Sequence, residues 1–155
     1  MDKLDRKILD LLQEDGTLTA AAIADRVGLS KAPCWRRIRQ LQEDGVIRQT
    51  VALLDARAVN VGTTVFVTLK TANHSATWFE QFVSSVREIP EITEIYRMSG
   101  DVDYLMRIVV PDIDAYDVVY KRLIASVAFQ DVSASFALET IKCTSALPLT
   151  YVKLD

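Results

Sequence analysis

The chain has 155 residues, of which 50% are hydrophobic, enough to bury one good core or two small ones. Its formal net charge of −3 excludes a uniformly basic nucleic-acid binder, and its two cysteines, Cys34 and Cys143, form neither a CxxC metal pattern nor a disulfide scaffold. The N-terminus MDKLDRK lacks the apolar segment of a signal peptide, and no apolar run reaches the length of a membrane span. The sequence therefore reads as a cytoplasmic protein with no membrane, metal or cofactor.

Leu4, Ile8, Leu11 and Leu12 recur at i, i+4, i+7 and i+8, which predicts a helix ended by Asp15-Gly16 with Gly16 as a left-handed cap. Thr19 is placed to cap a short second helix over 20–27, with Ile23, Ala24 and Val27 inward. Gly28 closes it and Leu29 plugs the turn. Ser30 caps a third helix, Ser30–Glu43; Pro33 is tolerated in its first turn, where N–H groups have no helical acceptor. Cys34, Ile38 and Leu41 form its inward stripe, and Asp44-Gly45 ends it. Val46–Val51 reads as a strand that begins a wing, and residues 52–62 as a linker.

Beyond the linker the pattern changes. Residues 63–70 (TTVFVTLK) make a β-branched strand. Ser75 caps a helix with Phe79, Phe82, Val83 and Val86 inward, and 92–98 is a second strand. Residues 99–103 form a polar turn, followed by a third strand over 104–110. Asp112 caps a helix bearing Tyr116, Val119, Tyr120, Leu123, Ile124 and Val127, and 132–141 is the last strand. The fold class is α+β: an N-terminal winged helix-turn-helix over 1–51, the linker 52–62, and a C-terminal ferredoxin-like βαββαβ domain over 63–155. Strands one and three carry apolar residues on both faces. A solvated face would alternate more cleanly, so the pattern predicts a homodimer built sheet against sheet.

The function follows from the charge distribution. Residues 1–50 hold nine Lys/Arg against eight Asp/Glu, whereas 51–155 hold nine against thirteen. Ser30–Arg39 carries four basic residues and no acid. A local basic face on an acidic protein suits a selective reader of double-stranded DNA. Three short helices fit any small helical bundle, but the tight passage Gly28-Leu29-Ser30 has helix-turn-helix spacing, which would place the third helix in the major groove. Its contact set is Ser30, Lys31, Ala32, Trp35, Arg36, Arg37 and Arg39. Two members have alternatives: Arg37 can turn back toward the first helix, and Trp35 can pack on the wing instead of touching DNA. Cys34 fits the inward stripe. Nucleophile triads, metal-ligand clusters and phosphate loops are missing from the sequence, so no catalytic or metal residues are assigned and the protein is not read as an enzyme.

The stretches LDRKILDLLQEDGTLT, RVGLSKAPCWRRIRQLQEDGVI, VALLD and MSGDVDYLMRIVVPDIDAY span nearly the whole chain and resemble the Lrp/AsnC (leucine-responsive regulator/asparagine regulator) family of transcription factors. The segments APCWRRI, TWFEQFV, YRMSGDVDYLMR and SASFALETIKCTSALP look like its DecR-type, cysteine-responsive branch. The resemblance implies an amino-acid effector, cysteine or another amino acid, and dimers that assemble into an octamer or similar ring. The effector loop of the family falls on Ser99–Asp103. There Gly100 would let backbone amides approach a ligand carboxylate, and Asp101 or Asp103 would pair with its ammonium. The bland alternative is a hairpin turn, in which Gly and Asp are common. Tyr96, Met98, Phe136, Ala137 and Leu138 are carried over from the resemblance as pocket residues. A rival function is that of an architectural DNA-binding protein without any ligand.

Overall fold

Helix α1 (Lys3–Glu14) starts where Asp2 can satisfy its free N–H groups. The Asp2 carboxylate accepts from the backbone N–H of Leu4 and Asp5 at 2.8 and 2.9 Å, and the Asp5 carboxylate accepts from the Asp2 N–H at 2.8 Å. This reciprocal pair is a capping box. Helix α2 (Ala20–Val27) opens on the Thr19 hydroxyl, which accepts from the Ala22 N–H at 3.2 Å. It closes on Gly28 at φ 75°, a left-handed position that favours glycine, with the Leu29 N–H donating to the Ala24 carbonyl at 2.9 Å. Helix α3 (Lys31–Glu43) follows at once.

Two expected caps differ. Ser30 has the extended backbone of an N-cap, but its hydroxyl makes no capping bond. Gly16 is not left-handed, unlike Gly28, Gly45 and Gly100. The Asp15 carboxylate accepts from both the N–H and the hydroxyl of Thr17, and this local turn ends α1 without needing a left-handed residue.

The computed structural model describes residues 1–154, which form two compact units. One comprises residues 1–53 together with the chain from Lys142 onward, the other Leu54–Ile141. In the first unit Ile8, Leu9, Ile23, Ala24, Val27, Cys34 and Leu41 make a core, with Leu29 and Ile38 at its rim. The expected strand over Val46–Val51 is not formed. Ile47 donates to the Leu41 carbonyl at 3.0 Å and packs on the core, while Val46 and Val51 are exposed. A strand needs a partner for its ladder, and among the described residues this unit holds no other strand. The chain end also departs from expectation. Instead of completing the second domain, it groups with the first unit, where Leu149 packs against the α-helical core.

The second unit has the order β1 (Thr63–Lys70), α4 (Ala76–Arg87), β2 (Ile92–Arg97), β3 (Tyr104–Val110), α5 (Ile113–Ser126), β4 (Asp131–Phe136). All pairings are antiparallel, and the strands lie in the order β2-β3-β1-β4, the ferredoxin-like arrangement. Val65, Val67 and Leu69 of β1 and Tyr104, Met106, Ile108 and Val110 of β3 share one face. That face is covered by Trp78, Phe82 and Val86 of α4 and Val119 and Leu123 of α5. The inward stripe of α4 is rotated by one residue from the expected one. Trp78 is buried and Phe79 is 43% exposed, because the indole N–H reaches the Ala128 carbonyl at 3.1 Å and the ring stacks on Phe82. On α5, Ile124 is likewise exposed. Strand β4 stops at Phe136, so 137–141 of the expected strand lies outside the sheet apart from one bond, Ala137 N–H to the Thr64 carbonyl. The opposite face carries Phe66, Leu105 and Val109 among Thr64, Thr68, Ser133 and Ser135. It also carries one polar cluster, in which Arg107 pairs with Glu94 at 3.3 Å and the Tyr96 hydroxyl donates to Glu94 at 2.7 Å.

Candidate DNA-binding helix and effector loop

Helix α3 separates its residues cleanly. Cys34 and Leu41 are buried and Ile38 half-buried, so the inward stripe is as expected. Burial pushes the Cys34 thiol up, with Arg37 partly offsetting it, which keeps the group a packed, unreactive side chain. Ala32, Trp35, Arg36 and Arg39 are exposed at i, i+3, i+4 and i+7 and form one outward stripe, flanked by exposed Ser30 and Lys31. Trp35 does not pack on a wing. It is 52% exposed, and the Arg39 guanidinium lies 5.4 Å from its ring centroid, within cation–π range. Arg39 also reaches Glu43 at 3.1 Å. Among the described residues neither Lys31 nor Arg36 makes an ion pair.

Arg37 does not belong to this face. Its guanidinium Nη1 lies 2.8 Å from Asp2 and 2.7 Å from Asp5, both on or beside the first turn of α1. The hydrogen bond to Asp5 foremost, with Asp2 adding to it against some desolvation, holds the Arg37 proton more tightly than usual. Backbone N–H donation from Asp5 and the Arg37 side chain hold the Asp2 carboxyl below the usual range, against some desolvation. Arg37 thus ties α3 to α1, and its inclusion among the DNA contacts is corrected. The sequence signal for this was present in the acids of MDKLDRK.

In the second unit the turn between β2 and β3 is built around Asp103. Its backbone N–H donates to the Leu69 carbonyl at 2.9 Å, its carbonyl accepts from Met98 at 2.8 Å, and its Oδ2 accepts from the Thr71 N–H at 2.8 Å. Thr71, buried and unremarked in the sequence, is therefore part of the loop's support. Gly100 sits at φ 112°, open to a conformation other residues rarely adopt. Tyr96 is 53% and Met98 40% exposed, leading into the loop. Tyr104 is core, packed on Trp78 and Phe82.

The expected pocket residues do not all converge. Met98, Gly100, Asp101 and Asp103 gather where β1 ends at Lys70, between β2 and β3. Phe136 pairs with Val65 near the start of β1, on the opposite edge strand. Phe136 meets Tyr116 edge-on at 5.3 Å, and Leu138 beyond it is fully exposed. With about 3.3 Å per strand residue and about 4.8 Å between strands, the two groups are roughly 20 Å apart in one chain.

A family profile described as the Lrp/AsnC ligand binding domain matches residues 64–147, and one described as winged helix-turn-helix DNA-binding matches 1–48. The chain belongs to the Lrp/AsnC family. This Lrp/AsnC chain is a DNA-binding transcriptional regulator with a Lrp/AsnC ligand-binding domain. It is 48% identical over 150 residues to the DNA-binding transcriptional activator DecR of Escherichia coli K12, covering 96% of this chain and 99% of the relative. The crystal structure of an AsnC family transcriptional regulator from Agrobacterium tumefaciens matches at TM-score 0.96 and 59% identity, over 99% of this chain and 100% of the other. The transcriptional regulator NMB0573 of Neisseria meningitidis, solved as its L-Met complex, matches at TM-score 0.92 and 38% identity, over 97% of each chain. No helix of this Lrp/AsnC chain, among the described residues, is long and apolar enough to cross a membrane.

Proposed function

We propose that the chain reads double-stranded DNA through Lys31, Ala32, Trp35, Arg36 and Arg39, with Ser30 at the helix start, and that a free amino acid held at the loop Met98–Asp103 controls this reading. The observation that carries it is the outward stripe of α3: a small residue, a cationic pair and an exposed Trp on a helix whose one other arginine is consumed in holding the fold. Major-groove readers place such side chains at the front of the second helix. The protein acts by binding and not by catalysis, in the cytoplasm.

The working form is a homodimer assembled into a larger ring. The open sheet face, with Phe66, Leu105 and Val109 amid hydroxyls and a neutralised Arg107–Glu94 pair, suits burial against its own copy. The roughly 20 Å between the Gly100 loop and Phe136–Leu138 means that a pocket using both draws them from different chains. A ligand there favours one assembly, and the assembly fixes the spacing of the reading helices.

The test is fluorescence anisotropy with DNA from upstream of the protein's own gene, in the presence and absence of each of the twenty L-amino acids. Cysteine, from the branch resemblance, and methionine, bound by the Neisseria neighbour, head the panel. No binding to any such fragment at low salt sinks the DNA reading; binding that no amino acid alters sinks the effector reading. Within the loop, Asp103→Asn is the informative change, because its amide oxygen still accepts from Thr71 while the charge is gone. If Asp103 holds the ammonium, calorimetric affinity for the amino acid falls about tenfold or more, the worth of a charged hydrogen bond. An unchanged affinity in Asp103→Asn with a loss in Asp101→Asn transfers the role to Asp101.

A further inference from the structure

The first unit contains a piece of chain that no DNA-binding role requires. After β4 the chain runs through exposed Leu138 and Ile141 and then joins the helix-turn-helix unit from Lys142 onward. There the Gln13 carboxamide, in the last turn of α1, grips the backbone of Leu147 at both ends: its Nε2 donates to the Leu147 carbonyl at 3.1 Å, and its Oε1 accepts from the Leu147 N–H at 2.7 Å. A carboxamide holding both polar groups of one residue imitates a strand partner, and of the side chains only Asn and Gln carry this donor–acceptor pair. Two residues on, Leu149 starts a single 3-10 turn (Leu149–Tyr151) and packs against the core that contains Ile8 and Leu9 of α1. Helix α1 is in turn fixed to α3 by the Arg37 pairs with Asp2 and Asp5 and by the shared core with Cys34 and Leu41.

We propose that residues 147–151 are a strap, docked on α1 through Gln13 and Leu149, by which the amino-acid-binding domain is joined to the DNA-reading unit at a second point besides the segment that follows α3. The route runs from the end of β4, where Phe136–Leu138 lie, into the tail, onto α1 and so to α3. The tail is covalently continuous with the end of β4, so a displacement there is delivered along the chain to α1 and from α1 to the reading helix. This inference rests on the amino-acid reading above for its consequence, but not for the docking itself.

The experiment uses the full chain with Gln13→Glu or Leu149→Ala, and a chain ending at Thr144. Glu keeps the size and the acceptor of Gln13, loses the donor and sets a charge against the Leu147 carbonyl. Hydrogen exchange followed by mass spectrometry is expected to show 145–151 protected in the wild type. In both substituted chains exchange rises about tenfold in 145–151 and in 8–14, with β1 and β3 unmoved. In anisotropy, DNA affinity without amino acid stays within about threefold, while the shift in affinity produced by millimolar amino acid shrinks at least about fivefold, most in the truncated chain. A wild-type tail exchanging as fast as a free peptide overturns the strap. So does a full amino-acid shift in chains whose tail is shown to be released. If no amino acid shifts the wild type, the effector reading fails, and the exchange data alone decide whether the strap exists.

Discussion

Arg36→Ala is expected to lower affinity for an operator fragment by roughly 10–100-fold, the worth of one good base contact of about 1–3 kcal/mol. Arg36 sits in the middle of the outward stripe of α3, half-way between Ala32 and Arg39. Arg39 is already engaged by Glu43 and by the Trp35 ring, so its removal is expected to cost less. The two simplest roles for Arg36 are separated by salt. A base contact leaves the slope of log affinity against log salt nearly unchanged and relaxes preference at one position. A phosphate contact weakens all sequences alike and flattens the slope by about one. Arg37→Met is the internal control. It removes the tie to Asp2 and Asp5, so the first unit unfolds at lower urea, while the affinity of the folded protein for DNA stays close to wild type. Equal losses from Arg36→Ala and Arg37→Met, at temperatures where both remain folded, defeat the assignment of faces on α3.

What the sequence made legible was local. Thr19 and Gly28 mark helix ends through groups within four residues of themselves, and β3 alternates because every second residue meets the helices. Apart from the local caps at Gly16 and Ser30, the misses are questions of partnership across the chain. Val46–Val51 has the composition of a strand but no neighbour to pair with. Arg37 belongs to the basic run in sequence and to α1 in space. The carboxylate of Asp103 could be read as a ligand group, yet one of its oxygens caps Thr71, thirty-two residues away. Nothing near Leu149 announces that it packs on helices more than a hundred residues earlier. The assignment of the turn between β2 and β3 as an effector loop came from the family resemblance, because Gly and Asp between two strands equally suit a plain hairpin turn. The separation of that loop from Phe136–Leu138 needed the strand order, which sequence periodicity does not contain.

Phe82→Ala and Phe79→Ala test the corrected face of α4, and they are expected to differ by several kcal/mol although the residues are three apart on one helix. Phe82 is 1% exposed, stacked on Trp78 at 5.1 Å, tilted against Tyr104 at 4.8 Å and met edge-on by Phe129 at 5.9 Å. Truncating it removes the burial of a whole ring and leaves a cavity whose walls are themselves rigid rings, so the loss is about 3–5 kcal/mol. Against a domain stability of about 5–15 kcal/mol, that brings the second unit close to unfolding at ordinary temperature. Phe79 is 43% exposed and its truncation costs about 1 kcal/mol or less. Urea titration read by near-ultraviolet circular dichroism reports this unit, because the aromatic cluster is dissymmetric and buried. The helical signal of the first unit, with its separate core of Ile8, Ile23 and Cys34, is expected to keep its own midpoint. Similar losses for the two phenylalanines would restore the stripe read from sequence, with Phe79 inward. A single shared transition that moves with Phe82→Ala would instead mean that the two cores unfold as one, in which case the docked tail becomes the first contact to remove.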